Sequence, residues 1–169
     1  MQIPTGHDGP YAAPVKLAQK RVLPAWIDYN GHMNVAYYTM AFDTAIDRFL
    51  ESELGMGEAY AAQFKQGPYS LQNHISYHAE LLEGAVFHVE MRLVDHDEKR
   101  MHIYAELLNE AGEVAATCEG MLMNVDHISR RATPYAPAVQ ARLARMLADH
   151  KVLAPPKMLG AVIGIRRKG

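Results

Sequence analysis

From residue 35 onward, apolar side chains return every three or four positions: Val35, Tyr38, Phe42, Ala45, Ile46, Phe49 and Leu50. Asp43, Asp47, Arg48 and Glu51 fill the other side of the repeat. A 3.6-residue period with charge opposite predicts an amphipathic helix that buries one face. Asn34 stands directly before it and is a favourable N-cap. Gly55 and Gly57 end the pattern, and residues 58–66 suggest a short second helical piece. The period then falls to two. Residues 69–81, 85–96, 101–108 and 114–126 read as four strands, separated by the Glu83-Gly84 turn, by "DEKR" and by the hairpin loop "NEAGE". Gly120 suggests a bulge in the last of them.

Upstream of the helix, residues 17–27 (LAQKRVLPAWI) suit a first strand in which Pro24 forces an edge or a bulge. Residues 1–15 hold Pro4, Pro10 and Pro14 and predict a loose arm. Proline-bounded residues 137–149 predict a late helix. The order is therefore strand, long helix, then four antiparallel strands in a meander. This is α+β, with the helix segregated from the sheet and apolar enough to be buried against its concave face. An antiparallel sheet wrapped around a long central helix is the hotdog arrangement, here spanning about residues 17–126. A C-terminal helix and tail follow over 134–169.

Composition narrows this picture. A chain of 169 residues, 49% of them hydrophobic, suits one domain with a substantial core. The formal charge is −2, with acids and bases interspersed, so there is no basic stripe of the kind that binds nucleic acid. Cys118 is the sole cysteine, which rules out an internal disulfide and suits a reducing compartment. The N-terminus lacks a basic region followed by an apolar core. The late apolar stretch VLAPPKMLGAVIGI is too short for a bilayer and is broken by Pro155, Pro156 and Lys157. These features together predict a cytoplasmic protein that does not enter the membrane.

The densest chemistry lies at the helix start. "WIDYNGHMN", residues 26–34, gathers a carboxylate, two amides, a glycine and a histidine between Asp28 and Asn34. A helix N-terminus offers unpaired backbone N–H groups and a positive dipole end. Such donors near Asn34–Ala36 suit the oxyanion that develops when an acyl carbonyl is attacked. Asp28 is placed to activate water or to attack directly, and Asn30 and His32 to hold the water, the carboxylate or the substrate. Gly31 permits a tight turn or a close backbone approach. The same residues also suit nothing more than a turn and a cap.

The spacing Asp28-x-Asn30-Gly31-His32-x-Asn34, followed by Tyr37, resembles the signature of hotdog-fold acyl-CoA thioesterases of the 4-hydroxybenzoyl-CoA thioesterase-like kind. Its D-x-N-x-H core is similar to that of the plant acyl-ACP thioesterases. There the Asp, Asn and His are active-site residues and a downstream Y-x-x-E completes the set. Tyr77-His78-Ala79-Glu80 matches that element and implies Glu80 as a fourth catalytic residue. The stretches "PAWIDYNGHMNVAYY", "DEKRMHIYAELLNEAGEVAATCEGMLMNVD" and "RRATPYAP" resemble a narrower group, the betainyl-CoA thioesterases of carnitine breakdown. Gln72 departs from that group's pattern, which carries an acidic residue there. The resemblance thus implies hydrolysis of a short or small acyl-CoA with weakened preference for a cationic acyl group.

On this reading Trp26, Gly31, Asn34, Tyr37, Tyr38, Tyr69, Gln72 and His74 line the substrate. Tyr77 joins an aromatic set, some of which can cage a quaternary ammonium. The other strand histidines (His78, His88 and His102) lack metal-ligand spacing, so no metal is expected, and coenzyme A enters only as part of the substrate. Cys118 reads as an inert buried thiol. Arg166, Arg167 and Lys168 are either a solvated terminus or a contact for a CoA phosphate. The open edge of a single hotdog predicts a homodimer or dimer of dimers, with Glu80 or the aromatic wall facing the partner's Asp28. Two other functions fit less well. A non-catalytic acyl-CoA binder or sensor has no need of the Asp. A hotdog enoyl-CoA hydratase carries D-x-N-P-x-H, whereas here the His comes one residue early and the Pro is absent.

Overall fold

The computed structural model describes residues 6–167. Two short strands, β1 (Val15–Lys16) and β2 (Lys20–Arg21), precede α1 (Val35–Phe49), α2 (Glu58–Phe64), the long strands β3 (Gln66–Tyr77), β4 (Val86–His96), β5 (Arg100–Asn109) and β6 (Val114–Asp126), and finally α3 (Pro137–His150). The α+β reading holds, and α1 starts where the 3.6-residue pattern places it. Asn34 caps it through its side chain, and Tyr38, Phe42, Ala45, Ile46 and Phe49 form its buried face. The helix runs on through a wider turn at Leu50–Leu54 and stops at Gly55, whose φ of 74° is left-handed.

Strand order differs from a meander. The sheet runs β1-β4-β5-β6-β3, with β2 sharing the outer side of β4. β3 therefore pairs with β6, not with its sequence neighbour β4, and occupies the far edge. The reason lies in residues 78–85, expected from the alternation to be partly strand, which carry the chain across the end of the sheet. Leu81 is buried there. Its carbonyl accepts the Met33 N–H at 2.8 Å, and its own N–H donates to the Tyr38 hydroxyl at 3.1 Å.

Three further expectations are corrected. Residues 17–27 are not one strand: Pro24–Trp26 turn as a short 3-10 helix, because Pro24 fixes φ and suits a first helical position. Gly120 is not a bulge. It pairs regularly with Asn73 and Ile103, and a side chain there would start 3.0 Å from Asn73 Oδ1 and 3.2 Å from Ile103 Cγ1. The β3 irregularity falls instead between Ser70 and Gln72. Lastly, residues 6–14 are not loose. Tyr11 is buried, its N–H donates to Asp149 at 2.9 Å, and Arg142 meets Asp8 at 2.8 Å.

The inner residues of β4–β6, among them Met91, Leu93, Ile103, Ala105 and Cys118, share one core with the buried faces of α1 and α3. His150 ties three segments at the end of α3. It accepts the Leu93 N–H on Nδ1 at 2.9 Å, and its Nε2 lies 2.9 Å from the Ala12 carbonyl. Both bonds need the neutral ring, with the proton on Nε2. Burial holds the His150 pKa below its ordinary value, opposed by the bond to Ala12. A lowered folded-state pKa means the unfolded chain binds the proton more readily. Stability from His150 is therefore full above its unfolded pKa of ~6.5 and lost as pH falls below that. We predict that thermal melts at pH 7.5 and pH 5.0 show a drop for wild type that shrinks in His150→Gln. That variant should lose ~1–3 kcal/mol at the higher pH.

Candidate functional site

Ile27 and Met33 form an isolated antiparallel bridge, so residues 28–32 close as a tight loop at the head of α1. Asp28 turns the loop. Its N–H donates to the His32 carbonyl and its carbonyl accepts the Gly31 N–H, both at 3.0 Å. Gly31 has a φ of 82°, which a side chain would strain, and no atom lies within 4 Å of where one would begin. The loop thus needs glycine for its backbone and leaves open space beside it.

The Asp28 carboxylate is fixed at both oxygens. Oδ1 accepts the Asn30 N–H at 2.8 Å, and Oδ2 accepts the Asn34 side-chain amide at 3.3 Å. Its side chain is 15% exposed. Asn30 acts through its backbone, and the residue itself is exposed. Asn34 joins loop and helix: its Oδ1 accepts the Ala36 N–H at 2.9 Å, and its N–H donates to the Trp26 carbonyl at 2.9 Å. Ala36 is therefore committed to the cap. The Val35 N–H has no partner among the described residues and is the free donor of the first turn.

His32 bridges two carboxylates. Nδ1 stands 3.0 Å from Glu80 Oε2, and Nε2 stands 3.9 Å from Asp28 Oδ1. The first is a hydrogen bond. The second is too long for one and short enough for a single water to touch both atoms. Glu80 reaches His32 from its own chain, across 48 positions of sequence. The 78–85 crossing creates this contact within one chain.

The aromatic residues divide. Trp26 and Tyr37 stack at 5.3 Å and 14° where the loop meets α1. Tyr38 is buried and meets Tyr77 edge-on at 5.2 Å. Tyr69 stands apart, at the other end of β3, where its hydroxyl accepts from Arg130 at 3.1 Å. It lies eight residues from Tyr77, or ~26 Å along a strand. Gln72 and His74 pair with Met121 and Glu119. Those residues alternate with buried Leu122 and Cys118, so Gln72 and His74 point to the sheet face away from α1. One chain thus brings together Asp28, Asn30, Gly31, His32, Asn34, Glu80, Trp26 and Tyr37, and leaves Tyr69, Gln72 and His74 outside.

A groove of about 740 Å³ runs along α1, lined by Trp26, Met40, Ala41, Thr44, Arg48 and Phe87 among others. The sequence pattern did not single out these α1 residues. The signal was there: Ala41 and Ala45 are small at helical spacing beside the exposed Met40. A second cavity of about 540 Å³ lies by Tyr60, Tyr69 and His127. Cys118 is buried, and burial pushes its thiol up to about 11, so it stays protonated. Among the described residues no group of three His, Cys, Asp or Glu is placed to hold a metal ion. No helix among them is long and apolar enough to cross a membrane. Arg166 and Arg167 are exposed, and Lys168 lies outside the described residues.

Known proteins share this sequence and fold. The chain is 34% identical over 145 residues to a betainyl-CoA thioesterase of Pseudomonas aeruginosa, covering 85% of this chain and 91% of that protein. It is 33% identical over 155 residues to an L-carnitine dehydrogenase/betainyl-CoA thioesterase of Agrobacterium fabrum, 92% of this chain but only 32% of that longer protein. A Staphylococcus aureus protein solved in complex with CoA superposes with a TM-score of 0.85 at 27% identity, covering 94% of this chain and all of that one. A DHNA-CoA thioesterase from the same organism shares the fold, with a TM-score of 0.73 at 17% identity over 80% of this chain and 92% of that one. Residues 22–143 match the sequence pattern of the thioesterase-like superfamily, and the chain belongs to that family.

Proposed function

We propose that this protein hydrolyses a short or small acyl-CoA at the head of α1. The observation that carries the reading is the Asp28 carboxylate, oriented by Asn30 and by Asn34, the cap residue next to the free Val35 N–H of a helix N-terminus. Hydrolysis requires a group that activates water or attacks, and a donor for the new negative oxygen. Asp28 fills the first role, as base toward water or as direct nucleophile, and the Val35 N–H the second, helped by the α1 dipole. A carboxylate oxygen that already accepts one hydrogen bond keeps a lone pair for water. As base, Asp28 takes the water proton while the oxygen attacks the thioester carbon. The tetrahedral adduct then collapses, breaks the C–S bond and releases CoA thiolate.

His32, held by Glu80, presents Nε2 toward Asp28. There it can contact the attacking water or return a proton to the departing sulfur. Trp26 and Tyr37 form a flat apolar wall for the acyl group or the pantetheine arm. The relatives' names support CoA as the carrier.

The long open edge of β3 supports a homodimer. Among the described residues its only strand partner is β6, and Tyr69, Leu71 and Tyr77 are exposed. Antiparallel pairing about a two-fold near the strand centre would set a partner's Tyr69 alongside Tyr77. It would also bring Gln72 and His74 to the seam. In that arrangement Tyr69 approaches the partner's edge, while Gln72 and His74 stay on the outer face of the joined sheet.

Asp28→Asn should lower kcat by ~10²–10⁴ with the melting temperature and circular dichroism retained. Assay with a panel of acetyl, medium-chain, aromatic and betainyl CoA esters and free-thiol detection measures this; near-normal turnover would remove Asp28 from the chemistry.

Gln72 lies on the outer face, so its side chain does not set the choice between betainyl-CoA and its neutral tert-butylacetyl isostere. Gln72→Glu should leave the kcat/KM ratio of the two esters within about twofold, and a rise of about tenfold would bring Gln72 to the acyl group. A wild-type preference of a hundredfold for the cationic ester would assign the recognition to other residues.

A further inference from the structure

Beyond α3 the chain turns back over the sheet face that α1 does not cover. Its contacts fall on one register row. Arg92 of β4 pairs with Tyr104 of β5, Tyr104 with Glu119 of β6, and Glu119 with His74 of β3. Arg92 donates to the Ala154 carbonyl at 2.6 Å. The Tyr104 hydroxyl meets the Met158 backbone. Glu119 Oε2 accepts the Gly160 N–H at 2.7 Å while its Oε1 holds His102 at 2.8 Å. The tail thus crosses β4, β5 and β6 in order, heading for the open edge.

Past Ala161 the described residues of this chain leave the tail largely uncovered. Val162, Ile163 and Ile165 are 86%, 87% and 85% exposed. Five extended residues beyond Gly160 reach ~16 Å, whereas β3 lies only ~5 Å from β6. Continued along its row, the segment passes over β3 and beyond the edge. Three exposed branched apolar residues form a surface without a partner among the described residues.

We propose that residues 161–167 are an exchanged arm that docks on the outer sheet face of a second copy of this chain, across the β3 seam. This rests on the homodimer reading of the β3 edge. β3 is long, open and apolar at Leu71, so it is a template for another strand. A two-fold axis there satisfies both copies with one surface and makes the arms reciprocal. The outer face that the arm would meet carries half-buried Met121 and Met123, which pair with Gln72 and Tyr69 of β3. The arm would cover that patch and bury its own isoleucines.

The test compares the full chain with Ile163→Asp/Ile165→Asp and with a chain ending at Gly160. Sedimentation equilibrium gives the dimer dissociation constant, or subunit exchange between labelled and unlabelled protein gives the dissociation rate where binding is too tight. Because the altered residues are exposed in one protomer, monomer circular dichroism should be unchanged. The expected result is a dimer weakened about tenfold or more in both variants. Trypsin cleavage after Arg166 and Arg167 should also slow as wild type is concentrated through its dissociation constant. A wild-type dimer whose strength neither variant changes overturns the arm and leaves the dimer reading standing. A wild-type monomer at micromolar concentration overturns both. Sedimentation of wild type but not the variants with phosphatidylserine vesicles, with dimerisation unchanged, would assign the segment to a membrane surface and overturn the proposal.

Discussion

The amide of Asn34 is the constraint on which the site depends. Its oxygen satisfies Ala36, its nitrogen holds Asp28 and its backbone N–H fixes Trp26. A helix start must satisfy or expose its first N–H groups, and an N-cap side chain contributes roughly 1 kcal/mol to that end. Here the cap residue also bonds the Asp28 carboxylate and leaves the adjacent Val35 N–H without a partner among the described residues. Helix stability and the geometry of the candidate site are thus coupled through a single side chain. A residue that capped the helix without an N–H donor would keep the helix and free Oδ2 of Asp28.

The second constraint is the crossing of residues 78–85. β3 sits at the sheet edge, so the chain must pass the end of α1 to begin β4. Leu81 anchors that passage by bonding Met33 and Tyr38, one on each side of the α1 cap. Burial raises the Tyr38 hydroxyl pKa, which keeps it protonated while it accepts from Leu81. Glu80 then meets His32. Strand order, and not any local preference of Glu80, places the second carboxylate at the site.

The two sheet faces carry different work. The inner face joins α1 and α3 in one core, which holds the head of α1 rigid. The outer face carries Arg92, Tyr104, Glu119 and His74 in one row, of which the tail occupies the first three. A row of polar side chains gives an irregular segment the hydrogen bonds that its backbone needs. Between these faces lies the edge β3, whose unpaired N–H and C=O groups keep one side of the fold unfinished.

The part of this protein that the sequence determined by itself is local. The apolar repeat of Val35 to Leu50 fixed α1, Asn34 its start, and Gly55 its end, because helix period and capping act over a few residues. The alternation in β4, β5 and β6 and the Asp28–Asn34 cluster were legible for the same reason, as was the buried Cys118. The resemblance added Glu80, which no local pattern singles out. The part that only the tertiary structure decided is non-local. It paired β3 with β6, packed residues 6–14 on α3, broke residues 17–27 into a turn, and put Gly120 in close packing instead of a bulge. It also turned Gln72 and His74 to the outer face and parted Tyr69 from Trp26 and Tyr37. Period-two alternation says that a strand has two faces, yet not which strand lies beside it or which face meets the helix. Those choices come from burying the whole apolar surface at once, and no short window of sequence contains that sum.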